Sequence, residues 1–313
     1  MSNVPPLLSA LAGRRTDRLP VWFMRQAGRS LPEYRALRRG VGMLESCLRP
    51  DLAAEITLQP VRRHRVDAAI FFSDIMVPLK LAGVGVEIAP GVGPVLDAPV
   101  RSASDVDALV AHELGDVSPI TDAVALVTAE LAGIPSGDAS WTPLIGFAGA
   151  PFTLAAYLVE GRPSRDHLAA RAMMHADPAA WDRLLSWCAR LSGDFMAAQV
   201  AAGASAVQLF DSWCGSLSRA DYARHVAPYS RRTLAAVVGV PRLHFGTGTG
   251  HLLTELRSGA DAVGVDYRTP LDEAAALLPG TPLQGNIDPA LLAAGWAELE
   301  AHARDVVERG RAA

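Results

Sequence analysis

Short apolar runs recur along the chain, each closing on Gly, Asp or Ser and each followed by an amphipathic stretch. They cover residues 21–24, 68–72, 144–148, 206–210, 242–245, 262–265 and 282–284. Runs of this length, apolar on both faces and bounded by turn residues, suit parallel strands buried on both sides. The stretches between them carry helix starts. Asp177-Pro178 and Asp288-Pro289 each read as an N-cap followed by proline in the first turn. Ser102 and Asp105 form a capping-box pattern ahead of residues 106–114. Residues 84–96 differ: two short extended runs flank Pro90-Gly91, which predicts an inserted hairpin. A helical pattern fills 296–309.

Alternating strand and helix units without a dinucleotide fingerprint favour a (β/α)8 barrel over a doubly wound sheet. Gly246-Thr247-Gly248-Thr249-Gly250 follows a strand but lacks the G-x-G-x-x-G spacing, and it reads as a tight turn into a helix over 251–257. The 313 residues are expected to form one domain, since such barrels commonly exceed 200 residues. Seven strands are expected from the runs, one short of a closed barrel.

Composition narrows the chemistry. The formal net charge of −4 offers no global basic field, which argues against nucleic acid or an anionic membrane as partner. A local basic site for an acidic small molecule stays open. Of the 29 lysine and arginine residues only Lys80 is lysine, and it sits in an apolar run, which disfavours Schiff-base chemistry. Cys47, Cys188 and Cys214 are far apart and form no C-x-x-C pair, so neither a disulfide framework nor a structural zinc site is expected. No secretory signal and no uninterrupted apolar stretch long enough to span a bilayer are evident, and a cytoplasmic location is the expectation.

In a barrel of this kind the chemistry lies where strands end and the following loops begin. Arg25, Gln26 and Arg29 follow the first run, Ser73-Asp74 the second, and Gly149-Ala150-Pro151 the third, leading into a helix that carries Tyr157. Asp211-Ser212-Trp213 follows the fourth, with Asp266-Tyr267 and Asn286-Ile287-Asp288 beyond later ones. Arg25 and Arg29, separated by Gly28, suit carboxylate recognition by two guanidinium forks, although two surface arginines in an arginine-rich chain would look the same. A carboxylate at the mouth of a buried strand, as at Asp74, is costly unless paired or used; a helix cap or a salt bridge would also account for it. By itself Tyr157 reads as a core tyrosine and Ser212 as a cap. Cys214 reads as a packing residue and His244 as a satisfied core histidine.

Taken together and in order, the segments resemble the uroporphyrinogen decarboxylase family. The most specific is Pro20-Val21-Trp22-Phe23-Met24-Arg25-Gln26-Ala27-Gly28-Arg29-Ser30-Leu31-Pro32-Glu33-Tyr34. Others are Phe72-Ser73-Asp74, the stretch from Gly146 to Leu154 running on to Tyr157, Phe210-Asp211-Ser212-Trp213, His244-Phe245-Gly246, Val265-Asp266-Tyr267 and Leu283-Gln284-Gly285-Asn286-Ile287-Asp288-Pro289. The resemblance covers nearly the whole chain. It implies a single (β/α)8 barrel, usually a homodimer, that decarboxylates the four acetate side chains of uroporphyrinogen III without a cofactor or metal, in porphyrin and heme biosynthesis. By position it implies that Arg25, Ala27, Arg29 and Arg38 bind substrate, with Gln26 and Gly28 in the same loop. Asp74 would face the pyrrole NH groups, and Tyr157 and Ser212 the substrate carboxylates. Arg25 and Asp74 are then the candidate catalytic pair.

The chemistry agrees with that implication. A substrate with eight carboxylates needs a local arginine cluster in an acidic protein. An electron-rich pyrrole can act as its own electron sink, and a buried carboxylate such as Asp74 would stabilise the cation formed by ring protonation. A thiol methyltransferase of the same superfamily would need a His-x-Cys pair for zinc, and the matching site reads His244-Phe245-Gly246. A non-catalytic tetrapyrrole-binding protein is the alternative of another class. Family members carry a further Asn-Leu-Gly-His-Gly strand and a final helix that nothing here matches. The expectation is therefore a barrel without its eighth strand and last helix, and a 313-residue chain that is inactive or severely impaired alone.

Overall fold

The computed structural model describes residues 4–24 and 30–313. Its strands are β1 (Ala69–Ile70), β2 (Val86–Ala89), β3 (Gly93–Leu96), β4 (Leu144–Gly149), β5 (Ala206–Asp211), β6 (Arg242–Gly246), β7 (Ala262–Gly264) and β8 (Leu283–Gln284). Six of them form one parallel sheet in the order β1-β4-β5-β6-β7-β8. These six are six of the seven apolar runs. β2 and β3 pair antiparallel, Val86 opposite Leu96, as the expected hairpin.

The sheet is curled. Gln284 Nε2 on β8 donates to Gln208 Oε1 on β5 at 2.9 Å, although β6 and β7 lie between them. In a flat sheet three strand spacings would put those strands about 14 Å apart. Alternation then gives each strand an inner and an outer face. Ile145, Ala206, Leu243 and Ala262, with Ala68 just before β1, converge on Leu7 and Leu11 of the helix Pro6–Leu11, which covers that end of the sheet. Ile70, Phe147 and Phe210 form the next layer, with Trp22 and Phe245 against them. The interior is thus packed with side chains rather than open.

Helices cover the outer face. The helix Pro178–Ala201 starts where expected, Asp177 accepting from Ala180 N at 3.0 Å. It lies so close to β4 that a Cβ on Gly146 would meet Gln199 Oε1 at 2.8 Å. Gln199 uses that proximity, accepting from Phe147 N at 3.0 Å and donating to Phe147 O at 2.9 Å. The capping box of Ser102 and Asp105 is formed, but its helix, Ala103–Val110, stops short of residue 114. Asp288 caps a 3-10 turn, Pro289–Ala293, and the last helix is Trp296–Ala312. The Gly-rich turn leads through Gly250–Leu252 into the helix Leu253–Leu256. No helix among the described residues is long and apolar enough to cross a membrane.

Two expectations need correction. The run 21–24 forms no strand in its described residues, yet it is tied to the β1 segment, since Asp67 N donates to Val21 O at 2.8 Å. Val21 N in turn donates to Asp67 Oδ2 at 2.8 Å, and the buried Asp67 also pairs with Arg18. The expected loss of an eighth strand is not confirmed: eight strands are present among the described residues, six in the parallel sheet and two in the hairpin. The count of seven runs left out the hairpin strands, which are only partly buried and are not part of the parallel ladder.

Candidate functional site

The polypeptide leaves β1 through Ser73-Asp74. Asp74 Oδ1 accepts from Met76 N at 2.9 Å, and its carbonyl from Val77 N at 3.0 Å, which shapes the turn into the helix Val77–Leu81. Asp74 thus shapes the turn ahead of that helix, whose N-cap is Met76, and it engages one carboxylate oxygen by a backbone donor. Arg38 reaches the same place from the end of the helix Pro32–Leu37. Its Nη1 donates to Ser46 Oγ at 2.5 Å and contacts Met43 Sδ at 3.0 Å, and its guanidinium lies 5.7 Å from the Tyr34 ring centre. Tyr34 packs edge-on against Phe72, 6.0 Å between centroids, joining that helix to the end of the β1 run. Arg38 Nε is buried with no partner among the described residues. Both side chains act on Cys47: burial pushes its thiol well up, Asp74 adds to the rise and Arg38 opposes it. Two residues far apart in sequence, Arg38 and Asp74, thus share one neighbourhood.

The second group is built on β4 and β5. Tyr157 lies in the helix Pro151–Glu160 and is 8% exposed. Its ring meets Trp213 edge-on at 5.7 Å. Trp213 N donates to Thr153 Oγ1 at 3.3 Å, so the loop after β5 is pinned to the same helix that carries Tyr157. Ser212, half-buried beside Trp213, makes no hydrogen bond through its hydroxyl among the described residues. His167 tilts against Trp213 at 4.9 Å, and burial holds its imidazole below the ordinary range. Tyr157 therefore lies against Trp213, the residue after Ser212. Arg25, Gln26, Ala27, Gly28 and Arg29 lie outside the described residues.

Other strand-end polar residues serve the frame. Asp211 falls on the outer face of β5, where Thr153 Oγ1 donates to its Oδ1 at 3.0 Å and Tyr222 OH to its Oδ2 at 3.2 Å. His244 Nε2 lies 3.7 Å from the same carboxylate, while its Nδ1 bonds Leu256 O at 3.0 Å, consistent with a core histidine rather than a ligand in the interior. Cys214 Sγ bonds Asp211 O at 3.3 Å, and burial and that carboxylate push its thiol up. Asp266 holds Gly248 N and Arg268, tying the Gly-rich turn to the loop after β7. Asn286 Nδ2 donates to Asp266 O at 3.0 Å.

One inner group escaped sequence reasoning. Trp22 Nε1 donates to Gln284 Oε1 at 2.8 Å, and Gln284 donates on to Gln208, whose own Nε2 has no partner among the described residues. The signal was a glutamine inside each of two otherwise apolar runs, but a lone polar residue in a run does not say which face it occupies.

The uroporphyrinogen decarboxylase (URO-D) family model matches residues 3–313. The uroporphyrinogen decarboxylase of Arthrobacter sp. strain FB24 is 64% identical over 309 residues, 97% of this chain and 87% of that one. That of Leifsonia xyli subsp. xyli is 57% identical over 338 aligned positions, covering 100% and 88%. In fold, the chain is similar to a methyltransferase from Methanosarcina mazei, with a TM-score of 0.75 at 17% identity over 97% of this chain and 89% of that one. Matched over nearly its whole length by the family model and by relatives of more than half identity, the chain belongs to the uroporphyrinogen decarboxylase family.

Proposed function

We propose that this protein converts uroporphyrinogen III to coproporphyrinogen III, releasing four molecules of carbon dioxide, at the strand-end side of one (β/α)8 barrel domain. The observation that carries the reading is that Arg38 and Asp74 both act electrostatically on the buried Cys47 thiol, with Asp74 just past the end of the β1 run. Arg25, Gln26, Ala27, Gly28, Arg29 and Arg38 hold the substrate carboxylates, and Tyr157 and Ser212 contact others from the opposite group.

The chemistry asks little of the protein beyond charge placement. Protonation of a pyrrole ring carbon next to an acetate gives a cationic ring. The C–CO2 bond then breaks, its electron pair neutralises the ring and an exocyclic methylene is left. A proton added there and a ring proton lost complete the methyl group. Asp74 stabilises the cationic ring, and Arg25 is the candidate proton donor. The ring is the electron sink, so the cycle calls for no cofactor. A homodimer in the cytoplasm completes the reading, and three buried, unpaired thiols suit a reducing compartment.

A non-catalytic tetrapyrrole carrier would bind through the same residues without releasing carbon dioxide. The test is turnover of uroporphyrinogen, followed by chromatography of the oxidised porphyrins and by carbon dioxide release. Asp74→Ala is expected to lose at least about 100-fold in kcat, the scale of one preorganised electrostatic group, while still binding tetrapyrrole. Activity retained within a few-fold would remove Asp74 from the mechanism, and a wild-type chain that binds without releasing carbon dioxide would favour the carrier.

A further inference from the structure

Two imidazoles and a carboxylate, none of them assigned above to the substrate, converge on two helices. Asp221 and His225 lie on the helix Arg219–His225, four residues apart and so on one face. His175 closes the helix Leu168–Ala176 opposite them. His175 Nε2 is 3.6 Å from Asp221 Oδ1, and the rings of His175 and His225 stand edge to face, 5.7 Å between centroids. One ligand atom from each residue lies within 4.8 Å of the other two. Ligands on a common dication, with bonds of about 2.0–2.2 Å, stand roughly 3–3.5 Å apart. Closing that difference takes side-chain rotation, and His175 is half-exposed.

The surroundings prepare the carboxylate. Ser218 Oγ donates to Asp221 Oδ2 at 2.8 Å and accepts from Asp221 N at 3.1 Å. That outer hydrogen bond fixes the orientation of Asp221 and leaves Oδ1 turned to His175, the arrangement expected of a ligating carboxylate held by its neighbours. The backbone of His225 is held in turn, its carbonyl accepting from Trp181 Nε1 at 3.1 Å.

We infer that His175, Asp221 and His225 form a surface site for a transition-metal dication of the Zn2+, Co2+ and Ni2+ class, with water completing the coordination. Two nitrogens and one oxygen select that class over Mg2+ or Ca2+, which prefer all-oxygen shells. The ion would clip the helix Leu168–Ala176 to the helix Arg219–His225. Arg224 opposes it, its charge being felt at His225, and three protein ligands open to water bind less tightly than a closed four-ligand site.

The test uses the full chain, free of any histidine tag, titrated with Co2+ and then Zn2+. One equivalent of Co2+ is expected to give a visible d–d band that Zn2+ abolishes. Thermal unfolding is expected to rise by about 5 °C at a hundredfold excess of Zn2+ over its Kd. His175→Ala alters an exposed side chain and will fold; it and Asp221→Asn should each weaken binding at least tenfold, whereas Mg2+ should produce no shift. A wild-type chain with no saturable Co2+ band overturns the inference. So does a His175→Ala chain that binds Co2+ as tightly as wild type, which would place the ion at other histidines.

Discussion

Replacing Asp211 by alanine tests whether the wall behind the Ser212–Trp213 loop is held by one buried carboxylate. Asp211, Thr153 and His244 are fully buried, and Tyr222 has no exposed surface either. Removing the carboxylate leaves the Thr153 and Tyr222 hydroxyls without their acceptor and His244 Nε2 facing a void. Each buried polar group left unsatisfied costs about 1–3 kcal/mol, and breaking a buried charged network from one side costs about 3–5 kcal/mol. The Asp211→Ala chain is therefore expected to lose about 4 kcal/mol, or roughly 8 °C in Tm at about 2 °C per kcal/mol for a chain of this size. Asp211→Asn keeps the shape and one acceptor and should recover about half. Tyr222→Phe should cost about 1–2 kcal/mol in wild type and almost nothing on the Asp211→Ala background, because its partner is already gone. Urea unfolding of the four variants beside the wild type measures all of this. A loss below about 1 kcal/mol for Asp211→Ala, or full additivity with Tyr222→Phe, would refute the network.

Two further outcomes concern titration and thiol chemistry. His167 is 3% exposed, and burial holds its imidazole below the ordinary value, so the unfolded chain takes up that proton first as pH falls. Stability should therefore decline from about pH 6.5 down to the lower folded value and then level; His167→Asn, which tolerates the left-handed backbone there (φ 51°), should flatten part of that slope in unfolding curves taken from pH 8 to 5. Cys47, Cys188 and Cys214 are buried with thiols pushed up, so a thiol reagent at pH 8 should label none of them in the native protein and all three in urea; rapid native labelling would contradict their burial.

The sequence by itself determined the family and most of the parallel strands. Six apolar runs became the parallel ladder because a strand covered on both faces has to be apolar throughout, and Asp177 and Ser102 capped helices where local hydrogen bonding required it. The motif from Pro20 to Tyr34 and Asp74 at the next strand end carried the functional reading, although residues 25–29 lie outside the described part of the structure. Tertiary structure alone decided which side of each strand faces inward. A continuous apolar run has no alternation to reveal it, so the structural role of Asp211 could not be read until the curl of the sheet put Phe210 inside and Asp211 against Thr153 and Tyr222. The same curl brought Gln208 and Gln284 into contact across two intervening strands. The placing of both Arg38 and Asp74 near Cys47, and the bonding of Asp67 to the segment leading to Arg25, depend on contacts between elements distant in sequence, which local periodicity does not encode.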